Sequence, residues 1–485
     1  MGATDTLAAD SPQLTRSSRE PDTVERLTAA DLTMLWEDDF GWPQDIGVIA
    51  VLDGTPLYDA AGRLRIEMVR DAIARRLHLV PRLRQVLYRP MWGLGRPLWV
   101  DVQTFDIARH VRVQPLPAGS GEEQLVRACE RLHARRLDQS RPLWELWLLP
   151  GLLAGRVGMF MKIHHAIADG VAGTALIGAL LGPEPERDGP PPPWTPRPVP
   201  TRRKLLVDNV VRHGTALSTS LVHLAHPMRT WRRLSLGWRE FREVFGDPAP
   251  RTSLNRPIGS VRRFGVCRSR LDLAKDVAHA ASATVNDLVL AAIAGGLREL
   301  LQSRGEPVDS LVLRAMVPVS LRHGPSAPQG NLDGGMVVPV PVGEPETGRR
   351  LRLIAAATAR CKTRVMRPPE TGFLASAIVR KGMLRMMRRQ RLANVYVTNV
   401  PGPRVPLHLG GARLLEMFPV VPLSGNLTLG VGVLSYAGQL NFTVITDQDG
   451  SDDQKVFLAG LQRALDSVAG HAIRHKGPGI DSEWL

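Results

Sequence analysis

Hydrophobic and polar positions along this chain follow two different periods. "IGVIAVLDG" (Ile46–Gly54) is a nearly continuous apolar run closed by an Asp-Gly turn, the pattern of a buried strand. "RIEMVRDAIARRLHLVPRLRQVL" (Arg65–Leu87) begins as an amphipathic helix, with Met68, Ala72 and Leu77 near one face, and stops around Pro81. "EEQLVRACERLHARRL" (Glu122–Leu137) predicts another helix. "LWELWLLPG" and "RVGMFMKIHH" read as two short strands of a hairpin, and "GVAGTALIGALLG" as a helix opening at the Asp169–Gly170 pair. The second half repeats the mixture, with strands at Leu311–Val319, Met336–Val342, Val395–Val400 and Leu427–Tyr436 and a terminal helix near Gln454–Val468. Helices and strands are interspersed without a regular βαβ rhythm, which predicts α/β sandwiches with mixed sheets rather than a barrel or a doubly wound sheet.

At 485 residues the chain is too long for one ordinary core, so two or three domains are expected. The stretch "PEPERDGPPPPWTPRPVP" (Pro183–Pro200) is a stiff, solvated linker and marks the boundary. The reading is a flexible arm over 1–25, an N-terminal domain over 26–182, a linker with basic amphipathic helices over 183–255, and a C-terminal domain over 256–485. Arg202–Phe245 is helical, basic and apolar by turns. It fits either a surface helix pair or an interfacial helix that sets leucines and tryptophans among lipid headgroups and arginines on phosphates. The longest uncharged run, Met417–Thr446, is broken by Pro419, Pro422, Gly425 and Asn426, which is strand-and-turn punctuation.

A net charge of +15 points to an anionic partner: nucleic acid, an acidic membrane face or a phosphorylated cofactor. Aromatics make up only 5% of the chain and no RNA-recognition block is present, so no nucleic-acid partner is expected. Cys129, Cys267 and Cys361 lie far apart without ligand spacing, consistent with a reducing compartment.

The chemistry-bearing stretch is "HHAIADG", His164 to Gly170. A metal site is not expected: the spacing is not that of a zinc helix, no third ligand is at hand, and adjacent strand residues point to opposite faces. A satisfied core histidine and a general base both remain. An imidazole with an ordinary pKa of about 6.5 can take a proton from an alcohol if its ring is held. There is no G-x-S-x-G elbow, no P-loop and no dinucleotide fingerprint. A base without a protein nucleophile suggests direct attack of a deprotonated acceptor on an activated donor.

His164–Gly170 resembles the His-His-x-x-x-Asp-Gly signature of the coenzyme-A-dependent acyltransferase superfamily, which includes chloramphenicol acetyltransferase and peptide-synthesis condensation domains. Further blocks are similar to the bacterial wax ester synthase/diacylglycerol acyltransferase family. They are "RLTAADLTMLWEDD", "VPRLRQVLYRP", "LDQSRPLWELWLL", "TVNDLVLAAIAGGLREL", "AMVPVSLR" to "GN", "VTNVPGP" and "LSYAGQLNF", in that order. One departure is the stretch "WPQDIGVIAV": it holds Asp45 and Ile46 where the family has Met-His-Val-Gly.

The resemblance implies two chloramphenicol-acetyltransferase-like domains joined by a crossing linker, with the active site in a tunnel between them. It implies His165 as the base, beside His164, and Asn286 as a donor near the reacting centre. Asp169 would be structural and paired with Arg322; Pro142, Leu143, Trp144, Gly170 and Asn399 would shape the substrate site. No bound cofactor and no metal are expected. Acyl-CoA would be the co-substrate, and diacylglycerol or a long-chain alcohol the acceptor. The expected location is cytoplasmic, with peripheral association to an anionic membrane or a lipid droplet. Two alternatives remain: a relative acylating another lipid or polyketide hydroxyl, and a catalytically silent basic membrane-binding homologue.

Overall fold

The computed structural model describes residues 24–91, 94–182, 192–212, 248–320, 333–362, 377–447 and 451–476. The first half opens with α1 (Ala29–Phe40). A reciprocal capping box between Thr28 and Asp31 starts it, and Gly41, at a φ of 107°, stops it. Then come β1 (Asp45–Leu52), α2 (Ile66–Arg76), β2 (Gln85–Tyr88), β3 (Leu98–Asp101), β4 (Val111–Val113) and α3 (Glu122–His133). The expected hairpin follows as β5 (Trp144–Pro150) and β6 (Val157–His164), antiparallel in register, and α4 (Gly170–Leu181) closes this half.

The second half runs β7 (Arg262–Arg270), α5 (Leu271–Ala280), α6 (Val285–Ser303), β8 (Val312–Ser320), β9 (Asp333–Pro341), α7 (Thr347–Cys361) and α8 (Ala377–Met387). It ends with β10 (Val395–Pro401), β11 (His408–Leu409), β12 (Ala412–Val420), β13 (Leu429–Tyr436), β14 (Gln439–Asp447) and α9 (Ser451–Lys476).

Two six-stranded sheets result. The first has the order β11-β12-β1-β6-β5-β4 and the second β7-β14-β13-β10-β8-β9; β2 and β3 pair apart. Both large sheets are mixed. β4 runs parallel to β5 in the first, and β10 runs parallel to β8 and β13 in the second.

The two sheets do not divide at the proline-rich linker. Strands β11 and β12, from the C-terminal half, cross over and pair with β1, placing Pro419 opposite Val48 and Met417 opposite Ala50. Residues 421–428 then carry the chain back to β13. Tyr436 of β13 ties down this crossing: its hydroxyl accepts from Leu407 N and donates to Leu414 O. Asn441 of β14 donates to Met417 O at 3.0 Å.

Each sheet covers its own core, and a third apolar cluster lies in the seam. There Ile49, Phe160 and Phe418 of the first sheet meet Phe264 and Ile445 of the second under α3. Among the described residues no single helix is long and apolar enough to cross a membrane. The pair α5–α6 matches a span in length and composition only, bends by 98°, and has α6 buried in the second core.

Candidate active site

Strand β6 is buried along its whole length, so its two faces are told apart by parity alone. Met161 and Ile163 pack in the first core while Phe160 packs in the seam, which sends His165 with the former and His164 with the latter. His165 stands one residue beyond the strand, half-buried. Its backbone N–H donates to Gln44 O at 2.8 Å, continuing the ladder in which Asp45 lies opposite His164.

His164 is the inner histidine, 2% exposed. Its N–H donates to Leu143 O, and its Nδ1 accepts from Ala166 N at 3.1 Å. Burial, reinforced by the neighbouring charges of His165 and Arg89, pushes its pKa down to about 3. It is therefore neutral at ordinary pH, with Nδ1 used as an acceptor. Its hydrogen bond to Ala166 N helps shape the turn.

Asp169 is fully buried, and its Oδ1 accepts from Ala172 N at 2.8 Å, capping α4. Gly170 is the first residue of that helix. A Cβ there would stand 3.1 Å from Val400 Cγ2 of β10, so the missing side chain lets the two halves approach closely. The motif thus folds as strand end, turn, cap and helix start. Arg322, the expected partner of Asp169, lies outside the described residues.

His165 opens onto a narrow passage of about 70 Å³ shared by both halves. Its apolar walls come from Ile46 and Val48 of β1, Ile177 of α4, Pro318 of β8, Val400 of β10, Met417 and Pro419 of β12, and the returning Val421 and Pro422. Besides His165, the passage is lined by Thr174, Tyr396 and Thr398, each carrying a hydroxyl.

Several residues expected at the substrate site stand elsewhere. Pro142, Leu143 and Trp144 are buried behind the histidines. Trp144 donates from Nε1 to Leu83 O and stacks on His110, so the block supports the strand end without lining the passage. Asn399 faces away: on β10 the inward positions are Tyr396, Thr398 and Val400. Asn286 lies in the first turn of α6 and is not part of the lining, while its neighbour Asp287 makes a capping box with Thr284. Thr174, Tyr396 and Thr398 were missed, although alternation within "VYVTNV" sets 396, 398 and 400 on one face. Which face turns inward depends on the partner sheet. Among the described residues no group of three or more His, Cys, Asp or Glu side chains is placed to hold a metal ion.

The model of the wax ester synthase/diacylglycerol acyltransferase catalytic domain matches residues 27–289, and that of the family's C-terminal domain matches residues 329–469. The chain belongs to the wax ester synthase/diacylglycerol acyltransferase family. A Mycobacterium tuberculosis protein named a probable diacylglycerol O-acyltransferase is 32% identical over 89% of this chain and 92% of its own. The wax ester synthase/diacylglycerol acyltransferase from Marinobacter aquaeolei VT8 has the same fold, with a TM-score of 0.64 at 24% identity over 92% of this chain and 99% of that one. The starter condensation domain of rhizomide synthetase, solved with C8-CoA, superposes with a TM-score of 0.56 at 15% identity over 92% and 95%.

The protein is an acyltransferase of lipid biosynthesis, with the two-domain architecture of its family. Its departure at Asp45 has a local cause. Asp45 and Lys162 are both buried and 3.6 Å apart on adjacent strands, and Lys162 also donates to Leu132 O and Arg135 O. Burial still lifts the Asp45 carboxyl to about 7, against the pull of Lys162.

Proposed function

We propose that this acyltransferase moves a long-chain acyl group from acyl-CoA to the hydroxyl of diacylglycerol, and to long-chain alcohols as a second acceptor. The observation that carries the reading is the half-buried ring of His165 at the wall of an apolar passage built by both halves. The imidazole takes the proton of the acceptor hydroxyl. The freed oxygen attacks the thioester carbonyl, and the tetrahedral oxyanion collapses by expelling the thiolate of CoA. The imidazolium returns its proton to that sulfur, so the histidine ends as it began. Apolar walls suit alkyl groups and keep out the water that would hydrolyse the thioester. The relatives named as diacylglycerol O-acyltransferases support the acceptor, and the C8-CoA bound by the related condensation domain supports the donor.

We further propose a cytoplasmic enzyme held peripherally on an anionic membrane or droplet surface. Its support is the helical stretch 202–212, where Leu206, Val207, Val210 and Val211 are each about half exposed beside Arg202, Arg203 and Lys204. Buried Leu205 pins that stretch to the β2–β3 pair.

The test is product analysis with labelled acyl-CoA and a panel of diacylglycerols and alcohols, comparing the native chain with His165→Ala. Expected are triacylglycerol and wax ester from the native chain and their loss in the variant, with vesicle binding retained. Esterification of neither acceptor above background would sink the substrate assignment.

A further inference from the structure

Glu37 is a buried carboxylate that the transfer chemistry does not use. It sits in α1, only 6% exposed, with no ion-pair partner among the described residues. Burial lifts its pKa to about 7, and the one interaction that opposes this is a hydrogen bond from Ser424. A carboxylate kept in so unfavourable a place needs a reason.

The reason lies in what it holds. Ser424 Oγ donates to Glu37 Oε2 and accepts from Gln44 Nε2 at 2.8 Å. Gln44 Nε2 also donates to Trp42 O, which fixes the amide at both sides. The backbone carbonyl of the same Gln44 receives the N–H of His165 at 2.8 Å. Three regions far apart in sequence therefore meet on one chain of hydrogen bonds: α1 with the adjoining entry to β1, the end of β6 at His165, and the returning loop 421–428. That loop supplies the wall opposite the histidine, since Val421 and Pro422 line the passage two or three residues before Ser424.

We propose that Glu37, Ser424 and Gln44 form a positioning clamp that keeps His165 in register with the passage wall contributed by the C-terminal half. Glu37 is the anchor, Ser424 the relay, and Gln44 the point at which the clamp reaches the histidine backbone. None of the three touches the reacting atoms. The proposal rests on the reading of His165 as the base. The directions of donation are consistent throughout: Gln44 gives to Ser424, and Ser424 gives to Glu37, whose Oε2 is the acceptor at the end of the chain. Apolar replacement at either Glu37 or Ser424 leaves a buried polar group unpaired and frees the loop from the strand end. A displacement of about 1 Å at a reacting group can cost on the order of 10²-fold in rate.

The experiment measures kcat and KM for acyl-CoA in Ser424→Ala, Ser424→Thr, Glu37→Leu and Glu37→Gln, with His165→Ala as reference and folding checked by circular dichroism. Expected is a fall in kcat of about 10- to 100-fold for Ser424→Ala and Glu37→Leu, with KM nearly unchanged. Ser424→Thr keeps the hydroxyl and Glu37→Gln keeps an acceptor oxygen, so both recover most of that loss. If Glu37→Leu does not fold, Ser424→Ala, which deletes a single oxygen, carries the same test. Should His165→Ala abolish turnover while Ser424→Ala keeps its kcat, the clamp is overturned and the base reading stands. Failure of both conservative variants to recover kcat also overturns it. Full turnover in His165→Ala overturns the base and the clamp together.

Discussion

His164 and His165 are adjacent, yet their environments differ completely. One ring faces the seam side of the first sheet, desolvated and locked as an acceptor; the other faces the passage. A lowered pKa has a thermodynamic consequence. Folded His164, with a pKa near 3, does not bind the proton that the unfolded chain takes up below about 6.5. Between those limits the unfolded state binds more protons, so this residue removes stability as pH falls. Replacing it with glutamine abolishes the effect. The stability of the native chain relative to His164→Gln is expected to drop by up to about 1.4 kcal/mol per pH unit below 6, read from urea midpoints at pH 7.5 and 5. Glu37 and Asp45, both raised to about 7, act in the opposite direction over pH 4.5–7, which makes the paired comparison necessary. Asp169 offers a second test. Asp169→Ala removes the α4 cap and is expected to cost about 0.5–2 kcal/mol from the cap. Asp169→Asn keeps the acceptor oxygen and loses less, by thermal melting.

At the scale of elements, α4 and β10 meet where no room is left. Gly170 lies so close to Val400 that any Cβ must displace that side chain by a few tenths of an ångström. Gly170→Val is expected to lower stability and turnover, and Val400→Ala in the same chain to recover part of both. Additive losses in a double-mutant cycle would contradict the contact. The passage has its own test, because it is narrow. Ile177→Trp on α4 plugs its wall and is expected to abolish turnover, with a stability loss of about 1–3 kcal/mol because Ile177 also packs in the first core. The elements themselves were largely legible. The hairpin carrying the histidines, the Thr284–Asp287 box and the strand over Val395–Pro401 follow local periodicity and capping chemistry, which involve neighbours within a few residues.

The whole molecule is tied together by the crossing of β11 and β12. Phe418 sits at that crossing, packed against Ile49 of its own sheet and facing β7 of the other. The guanidinium of Arg268 lies 4.8 Å from its ring and also holds Glu416 at 2.6 Å. Because strands of the C-terminal half are built into the first sheet, the halves are expected to unfold in a single calorimetric transition. Phe418→Ala is expected to cost about 3–5 kcal/mol and to lower that one transition without splitting it. Two separate transitions in the native chain would mean that the seam is weaker than its packing indicates.

What the amino-acid order determined by itself is local: the periods of the strands and helices, the caps, the strand-turn-helix that presents the two histidines, and the family to which those blocks belong. Tertiary structure alone decided which face of each strand turns inward. Parity within "VYVTNV" or "KIHH" marks two faces but does not say which one meets the partner sheet. The same holds for strand pairing. The choice of β1 as partner for β12, hundreds of residues away, depends on side-chain complementarity between distant segments. That pairing brings Ser424 to Gln44 and lines the histidine's passage with residues from both ends of the chain.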